Sequence, residues 1–205
     1  YYQQYVDAAI MDIVSGGYDY NTVIRRVVMQ MTNSGLRTVD YASGRSNRVP
    51  VAVRMSVLTG VSQITGRINE HNAKLLGTEY FEVDWHPGAR PSHAVWQGKV
   101  YSRDELETVC GLGTVTGLCG ANCYHVYYPF IPGVSERLYT DEWLEEQNRK
   151  ELETKEWNGK EYNLYEQTQK QRQMETAMRA QREKIDALKA AKVSSDEITL
   201  AKAKY

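Results

Sequence analysis

Two short clusters hold most of the histidines and cysteines of this chain, which are side chains that bind zinc and that act in acid–base or nucleophilic catalysis. Three of the four histidines and two of the three cysteines lie in residues 86–99 and 118–125. These residues are His86, His93, Cys119, Cys123 and His125. Neutral imidazole and thiolate are ligands that zinc prefers, and a structural zinc site takes four ligands in a tetrahedron. One pair from each cluster would therefore clamp a loop-rich region that has little core of its own.

The spacing within the second cluster favours a shared ion but leaves a second interpretation open. Cys123 and His125 are two residues apart, so on a strand both side chains lie on the same face. The pattern is not that of a standard zinc finger, however. In the alternative interpretation, Cys119 and Cys123 are small buried hydrophobic side chains and the histidines hydrogen-bond the loop backbone.

A catalytic use of the same side chains is a further alternative. His93, His125 and Arg90 would supply the acid, the base and the phosphate clamp of a metal-free nuclease. Cys123 beside His125 would supply a thiol nucleophile and a base. No third group that could orient this base is evident in the sequence, which weakens the interpretation of Cys123 as a catalytic nucleophile.

Composition limits the class of protein. The chain has 205 residues, of which 41% are hydrophobic and 25% charged, which is enough for a folded core. A net charge of -1 excludes a globally basic nucleic-acid binder. No apolar run approaches the ~20 residues that span a bilayer, so we expect no membrane segment. Three cysteines do not form a disulfide scaffold, and the start at Tyr1 without Met predicts a piece of a longer polypeptide.

The first part of the chain predicts three helices, and a strand over Leu36–Tyr41. Apolar periodicity predicts helices over Tyr1–Val14, after a cap at Asn21, and from Pro50 to a cap at Gly77. The third helix carries one long stripe at helical spacing, formed by Val53, Val57, Val61, Ile64, Ile68 and Leu75. Gly60 and Gly66 within it are predicted close-packing points.

A change of pattern follows these helices. Residues 78–85 alternate, which predicts a half-buried strand with Phe81, Val83 and Trp85 inward and Glu82 and Asp84 outward. Alternation at Tyr124, Val126 and Tyr128 predicts another short strand.

The sequence pattern of the C-terminal part predicts polar helices. A helix is predicted after Thr140, and a longer one over residues 162–192. The longer helix carries a thin stripe of Tyr165, Met174, Met178, Ile185 and Leu188, which is typical of a coiled-coil or hairpin seam. Ser194 and Glu197 form a predicted capping box at the start of a further helix.

Both clusters, together with the segments around them, resemble a known family. Residues 86–101 and 111–137 are similar to the tailed-phage minor capsid protein 2 family, which in turn resembles the Mu-type (MuF) head morphogenesis proteins. The likeness extends over residues 50–190. It implies a structural virion protein that is assembled in the bacterial host cytoplasm and lies in the capsid interior or at the portal vertex. Portal and capsid proteins, and phage DNA, are the implied partners.

The resemblance also implies a ligand set. Mu-type relatives usually have Asp at the position of His86 and Cys at that of His125, and both exchanges keep a metal-binding side chain. The implied set is a structural Zn²⁺ held by His86, His93, Cys123 and His125, with Cys119 as a substitute ligand. Arg90, Gly98 and Asn122 support the motif, and Arg90 is expected to brace the site. Relatives commonly have Arg where this chain has Tyr124.

We therefore predict an α+β fold with a helical N-terminal part packed on a small sheet, a loop-rich His/Cys region and a long C-terminal helical hairpin. Residues 1–139 are the expected head-morphogenesis domain and 140–205 a truncated helical or coiled-coil extension. The predicted function is structural, in head assembly, DNA packaging or ejection, without enzymatic activity. Two rivals remain: a nuclease-like or toxin-like enzyme, and a DNA-binding ejection protein that uses the arginines of residues 25–54.

Overall fold

The computed structural model describes residues 2–203, and it confirms a mixed α+β fold. The elements in chain order are α1 (Tyr2–Val14), α2 (Tyr20–Asn33), β1 (Thr38–Asp40), β2 (Ser46–Arg48), α3 (Val49–Leu76), β3 (Tyr80–Val83), α4 (Pro91–Ala94), β4 (Val100–Ser102), α5 (Arg103–Thr108), β5 (Tyr127–Phe130), α6 (Asp141–Leu152), β6 (Lys155–Trp157), β7 (Lys160–Tyr162), α7 (Leu164–Ala190) and α8 (Ser195–Ala203). The predicted helix start at Tyr1 lies outside the described residues.

The chain forms two compact units. Within the described residues, the first comprises 2–86 and 92–141, and the second comprises 87–91 and 142–203. In the second unit, the predicted helical hairpin is present as α7 and α8, where Gln181 Nε2 donates to the carbonyl of Ala201. The β6–β7 hairpin of this unit was not predicted, although its turn residues Asn158 and Gly159 both have positive φ and form a common hairpin signal.

Helix α3 links the two hydrophobic cores of the first unit. Its N-terminal half packs with α1 and α2, where Val53 and Val57 are fully buried. Its C-terminal half contributes Ala73 to a second core, which also contains the sheet. Only the N-terminal half of the predicted stripe is buried, since Ile68 and Leu75 are exposed.

The two α3 glycines are points of close approach, as predicted. Ile10 packs against Gly60, and the Tyr127 ring packs against Gly66. Gly77 ends the helix in the left-handed conformation with φ 69°. The second helix differs from expectation, because its N-cap is Asp19 rather than Asn21.

A three-stranded antiparallel sheet in the order β4-β3-β5 adjoins the second core. Phe81 and Val83 face inward as predicted, but Glu82 is also buried, and its carboxylate accepts from the N–H of Leu138. The second predicted alternation is shifted by one residue, because Tyr127 is buried whereas Tyr128 is exposed.

Gly66→Ala tests the approach of α3 to the sheet. An added Cβ would lie 2.6 Å from Tyr127 Oη, and that hydroxyl is held by Glu70. We expect a loss of about 1–3 kcal/mol in the free energy of unfolding, measured by chemical denaturation. Gly60→Ala is the control, since its clash is with the mobile end of Ile10 and should cost less. Equal stability of Gly66→Ala and the parent would contradict this packing.

Candidate metal centre

His93 is positioned by the single helical turn of α4. Its carbonyl accepts from the N–H of Gln97 at 3.1 Å, which brings the side chains of both residues to one side of the turn. Gly98 ends this segment with φ 74°, and its N–H donates to the carbonyl of Asp84. The turn is thereby tied to the end of β3.

Cys123 and His125 follow a tight loop. Cys119 and Asn122 both have φ 56°, a conformation that favours glycine or asparagine. The N–H of Cys123 donates to the carbonyl of Gly120 at 3.0 Å. Beyond the loop, the carbonyl of Val126 accepts from the N–H of Asp84, and the N–H of Val126 donates to Asp84 Oδ1. This pairing holds His125 beside the end of β3.

Three ligand atoms converge in the first unit. The Nδ1 atoms of His93 and His125 are 3.4 Å apart. Cys123 Sγ lies 3.8 Å from the Nδ1 of His93 and 3.7 Å from that of His125. All three residues are buried, with 2%, 3% and 6% of His93, His125 and Cys123 exposed.

These distances match the edges of a metal-centred tetrahedron. With Zn–N of about 2.05 Å and Zn–S of about 2.3 Å, tetrahedral angles place two nitrogens about 3.3–3.4 Å apart and nitrogen and sulfur about 3.6 Å apart. The observed separations are within about 0.2 Å of those edges. The buried His-Cys-His group can therefore hold a metal ion.

Hydrogen bonds determine the tautomer of His125. The N–H of His86 can only donate, and it lies 2.9 Å from Gln97 Oε1, so the amide oxygen must face it. The same oxygen lies 2.8 Å from His125 Nε2. Because Oε1 accepts only, His125 carries its proton on Nε2, and its Nδ1 has a lone pair.

The same argument applies to His93. Its Nε2 lies 2.8 Å from the carbonyl oxygen of Thr116, which can only accept. Its Nδ1 therefore also has a lone pair when the ring is neutral. The two Nδ1 atoms face each other across 3.4 Å, and Cys123 Sγ lies beside them. Outer hydrogen bonds from Nε2 to an amide or carbonyl oxygen are typical of metal-bound histidines, so the arrangement fits a metal held by both Nδ1 atoms.

The indole ring of Trp96 lies against both histidines. Trp96 is 3% exposed, and its ring centroid lies 4.5 Å from that of His93 and 4.8 Å from that of His125. An apolar shell of this kind limits the access of water to the ligand atoms.

His86 and Cys119, the other two predicted ligands, lie nearby but outside the group of three. His86 Nε2 is 3.0 Å from Asp84 Oδ2, and this hydrogen bond raises the pKa of His86. Its ring centroid is 5.1 Å from that of His125. Cys119 Sγ donates to the carbonyl of His125 at 3.8 Å, and burial raises the pKa of the Cys119 thiol to about 11. Whether either completes a ligand set stays a prediction.

The supporting motif residues are distributed over both units. Gly98 and Asn122 adopt the left-handed conformations that shape the two loops of the site. Arg90 belongs to the segment of residues 87–91 that groups with the second unit. Its expected bracing role stays a prediction.

Three contributors to the site were not predicted from the sequence. Gln97 and the Thr116 carbonyl orient the two imidazoles, and Asp84 holds the loop before His125. Asp84 was expected on the outer face of its strand, whereas its side chain is only 16% exposed. The four-residue spacing from His93 to Gln97 was the one local signal, because helical neighbours at that spacing share a face.

Comparison with known proteins identifies the family. A family model described as phage minor capsid protein 2 matches residues 1–204. The chain belongs to this family. No curated protein and no solved structure matches it.

Membership in the phage minor capsid protein 2 family makes this chain a structural phage protein of the virion, with other phage proteins as its partners. Among residues 2–203, no helix combines the length and the apolar character required to cross a membrane.

Replacing Gln97 tests the outer hydrogen bonds of the site. Gln97→Leu removes the acceptor of His125 Nε2, so we expect metal affinity to fall about 10–100-fold, measured by competition with a chromophoric chelator. Gln97→Glu keeps an acceptor oxygen at the same place and should retain most of the affinity. If both variants bind like the parent, Gln97 does not orient His125.

Alkylation tests the protonation of Cys119. Because burial raises its thiol pKa to about 11, little thiolate exists at pH 8 in the metal-free chain. Iodoacetamide should leave Cys119 unmodified in the folded protein and label it after denaturation, as read by mass spectrometry. Cys110, whose pKa burial raises to about 12, is the internal comparison. Rapid labelling of Cys119 in the folded chain would contradict the burial of its thiol.

Proposed function

We propose that this protein acts in the capsid interior or at the portal vertex, in head assembly, DNA packaging or ejection, with portal and capsid proteins as its direct partners. Family membership over residues 1–204 is the observation that carries this proposal. The related similarity to Mu-type head morphogenesis proteins points in the same direction.

Zinc is the metal that suits the buried group. Two imidazole nitrogens and one sulfur favour zinc over magnesium or calcium, which prefer oxygen ligands. His93, Cys123 and His125 would hold the ion, and His86 or Cys119 would supply the fourth ligand. Bound there, zinc would supply a structural cross-link between the α4 turn and the loop before β5.

The proposed role of this metal is folding rather than turnover. The three residues are nearly fully buried and stand against Trp96, so a substrate has no direct path to them. Residues 84–99 and 109–126 contain only the short helix α4 as regular secondary structure, and a metal that binds only their folded arrangement stabilises it.

The two rivals have less support. A nuclease would need His93 and His125 to reach a phosphate, yet they are 2% and 3% exposed. For DNA binding, several arginines of residues 25–54 have local partners: Arg26 pairs with Asp12, and Arg37 donates to the carbonyl of Thr32. Neither rival is part of the proposal.

Elemental analysis of purified protein tests the metal. We expect one zinc per chain in the parent and loss of zinc, with lower thermal stability, in His93→Ala and Cys123→Ala. Cys110→Ala is the matched control, because Cys110 is equally buried but is not one of the converging ligands. His86→Ala and Cys119→Ala then identify the fourth ligand by which of them lowers the zinc content. A metal-free parent with stable His93→Ala and Cys123→Ala variants would refute the site.

Phage genetics tests the place in the virion. Deleting the gene should reduce the yield of DNA-filled heads seen by electron microscopy or the infectivity of those heads. Cross-linking of wild-type particles should join this protein to portal or capsid subunits. Infectious particles at normal yield without the protein would contradict a role in the head, whatever the outcome of the zinc measurement.

A further inference from the structure

Helix α3 has one continuous apolar face that this chain covers only in part. At about 100° per residue, Val57, Ile64, Ile68 and Leu75 lie within about 40° of one another around the helix. Val57 is fully buried, whereas Ile68 and Leu75 are 51% and 73% exposed. We call the uncovered part the α3 seam. It consists of Ile64, Ile68 and Leu75, and His71 lies at its edge.

Helices α1 and α2 cover only the first part of this face because both are shorter than α3. Helix α1 has 13 residues and α3 has 28, so α1 spans about 20 Å beside a helix about 42 Å long. Ile10 packs on Gly60, and Val61 is the most C-terminal α3 residue that packs on this core. Further along, the sheet occupies the opposite side of the helix, where Tyr127 contacts Gly66.

The exposed charges that α3 itself places beside the seam are positive. Arg67 and Lys74 are exposed on one side of it, and neither has an ion-pair partner among residues 2–203. Glu70 is the only carboxylate of α3 in this region, and its Oε1 binds Arg103 and the Tyr127 hydroxyl, both at 3.0 Å. On the other side of the seam, α3 itself has no charged residue.

We propose that the α3 seam binds an amphipathic helix of another protein, whose apolar stripe covers Ile68 and Leu75 and whose acidic side chains pair with Arg67 and Lys74. Helix-on-groove recognition uses apolar anchors at this 3–4 spacing. A nucleic acid would pair with the two cations but would leave the apolar residues in water. A second copy packed antiparallel on the seam would bring like charges together, which is unfavourable.

Two synthetic peptides and the full chain provide the test. Both peptides are amphipathic helices of about three heptads with a leucine stripe, flanked by Glu in one and by Lys in the other. Titration of labelled peptide, followed by fluorescence anisotropy, should show about tenfold tighter binding of the Glu peptide. The double variant Arg67→Glu, Lys74→Glu should reverse this preference.

Substitution of the seam itself provides the second arm. The double variant Ile68→Ser, Leu75→Ser should weaken binding of the Glu peptide by about tenfold or more. Val134→Ser, at a site that is 77% exposed elsewhere in the same unit, should have no effect. All these residues are exposed, so the thermal transitions should stay near that of the parent.

Several results would overturn the proposal. They are equal binding of the two peptides, no effect of the seam variant, a dimer in light scattering that the seam variant abolishes, and displacement of the Glu peptide by duplex DNA. The dimer would identify a second copy as the occupant, and the displacement would identify a nucleic acid. None of these results bears on the zinc content or on the place of the protein in the virion.

Discussion

The metal-binding capacity of this chain depends on two hydrogen bonds that fix where His93 and His125 carry their protons. Because Gln97 Oε1 and the Thr116 carbonyl can only accept, both rings are protonated on Nε2, and both Nδ1 lone pairs point toward Cys123. With the other tautomer, the same three residues would be an ordinary buried polar cluster. The outer partners, rather than the ligand types alone, make the cluster a candidate metal site.

That arrangement requires the two loops to be brought to one place, and the end of β3 does this. Asp84 accepts Gly98 N–H through its carbonyl and Val126 N–H through its carboxylate. One residue thereby ties the turn that carries His93 to the segment that carries His125. A metal ion bound by residues of both loops would stabilise a region in which the strands are only three or four residues long.

Helix α3 links this region to the rest of the first unit. It contributes to the core with α1 and α2 and also contacts the sheet, where Asn69 donates to the carbonyl of Tyr127 at 2.7 Å. A helix that serves both cores has to be longer than the helices that cover it. The uncovered seam follows from that difference in length, and in a virion protein such a surface is suited to contact with a neighbouring subunit.

Local sequence determined the long helices, the close-packing glycines of α3 and the cluster of metal-binding residue types, because periodicity, capping and ligand chemistry are properties of a few neighbouring residues. It also supported the family assignment. Which of those residues converge was decided by tertiary structure: His93 and Cys123 are 30 positions apart, and the partners that orient the rings come from a side chain and a carbonyl with no sequence signature. Burial along α3 was likewise decided by which neighbours reach it, since one apolar stripe at 3–4 spacing is the same pattern whether α1 covers it or water does.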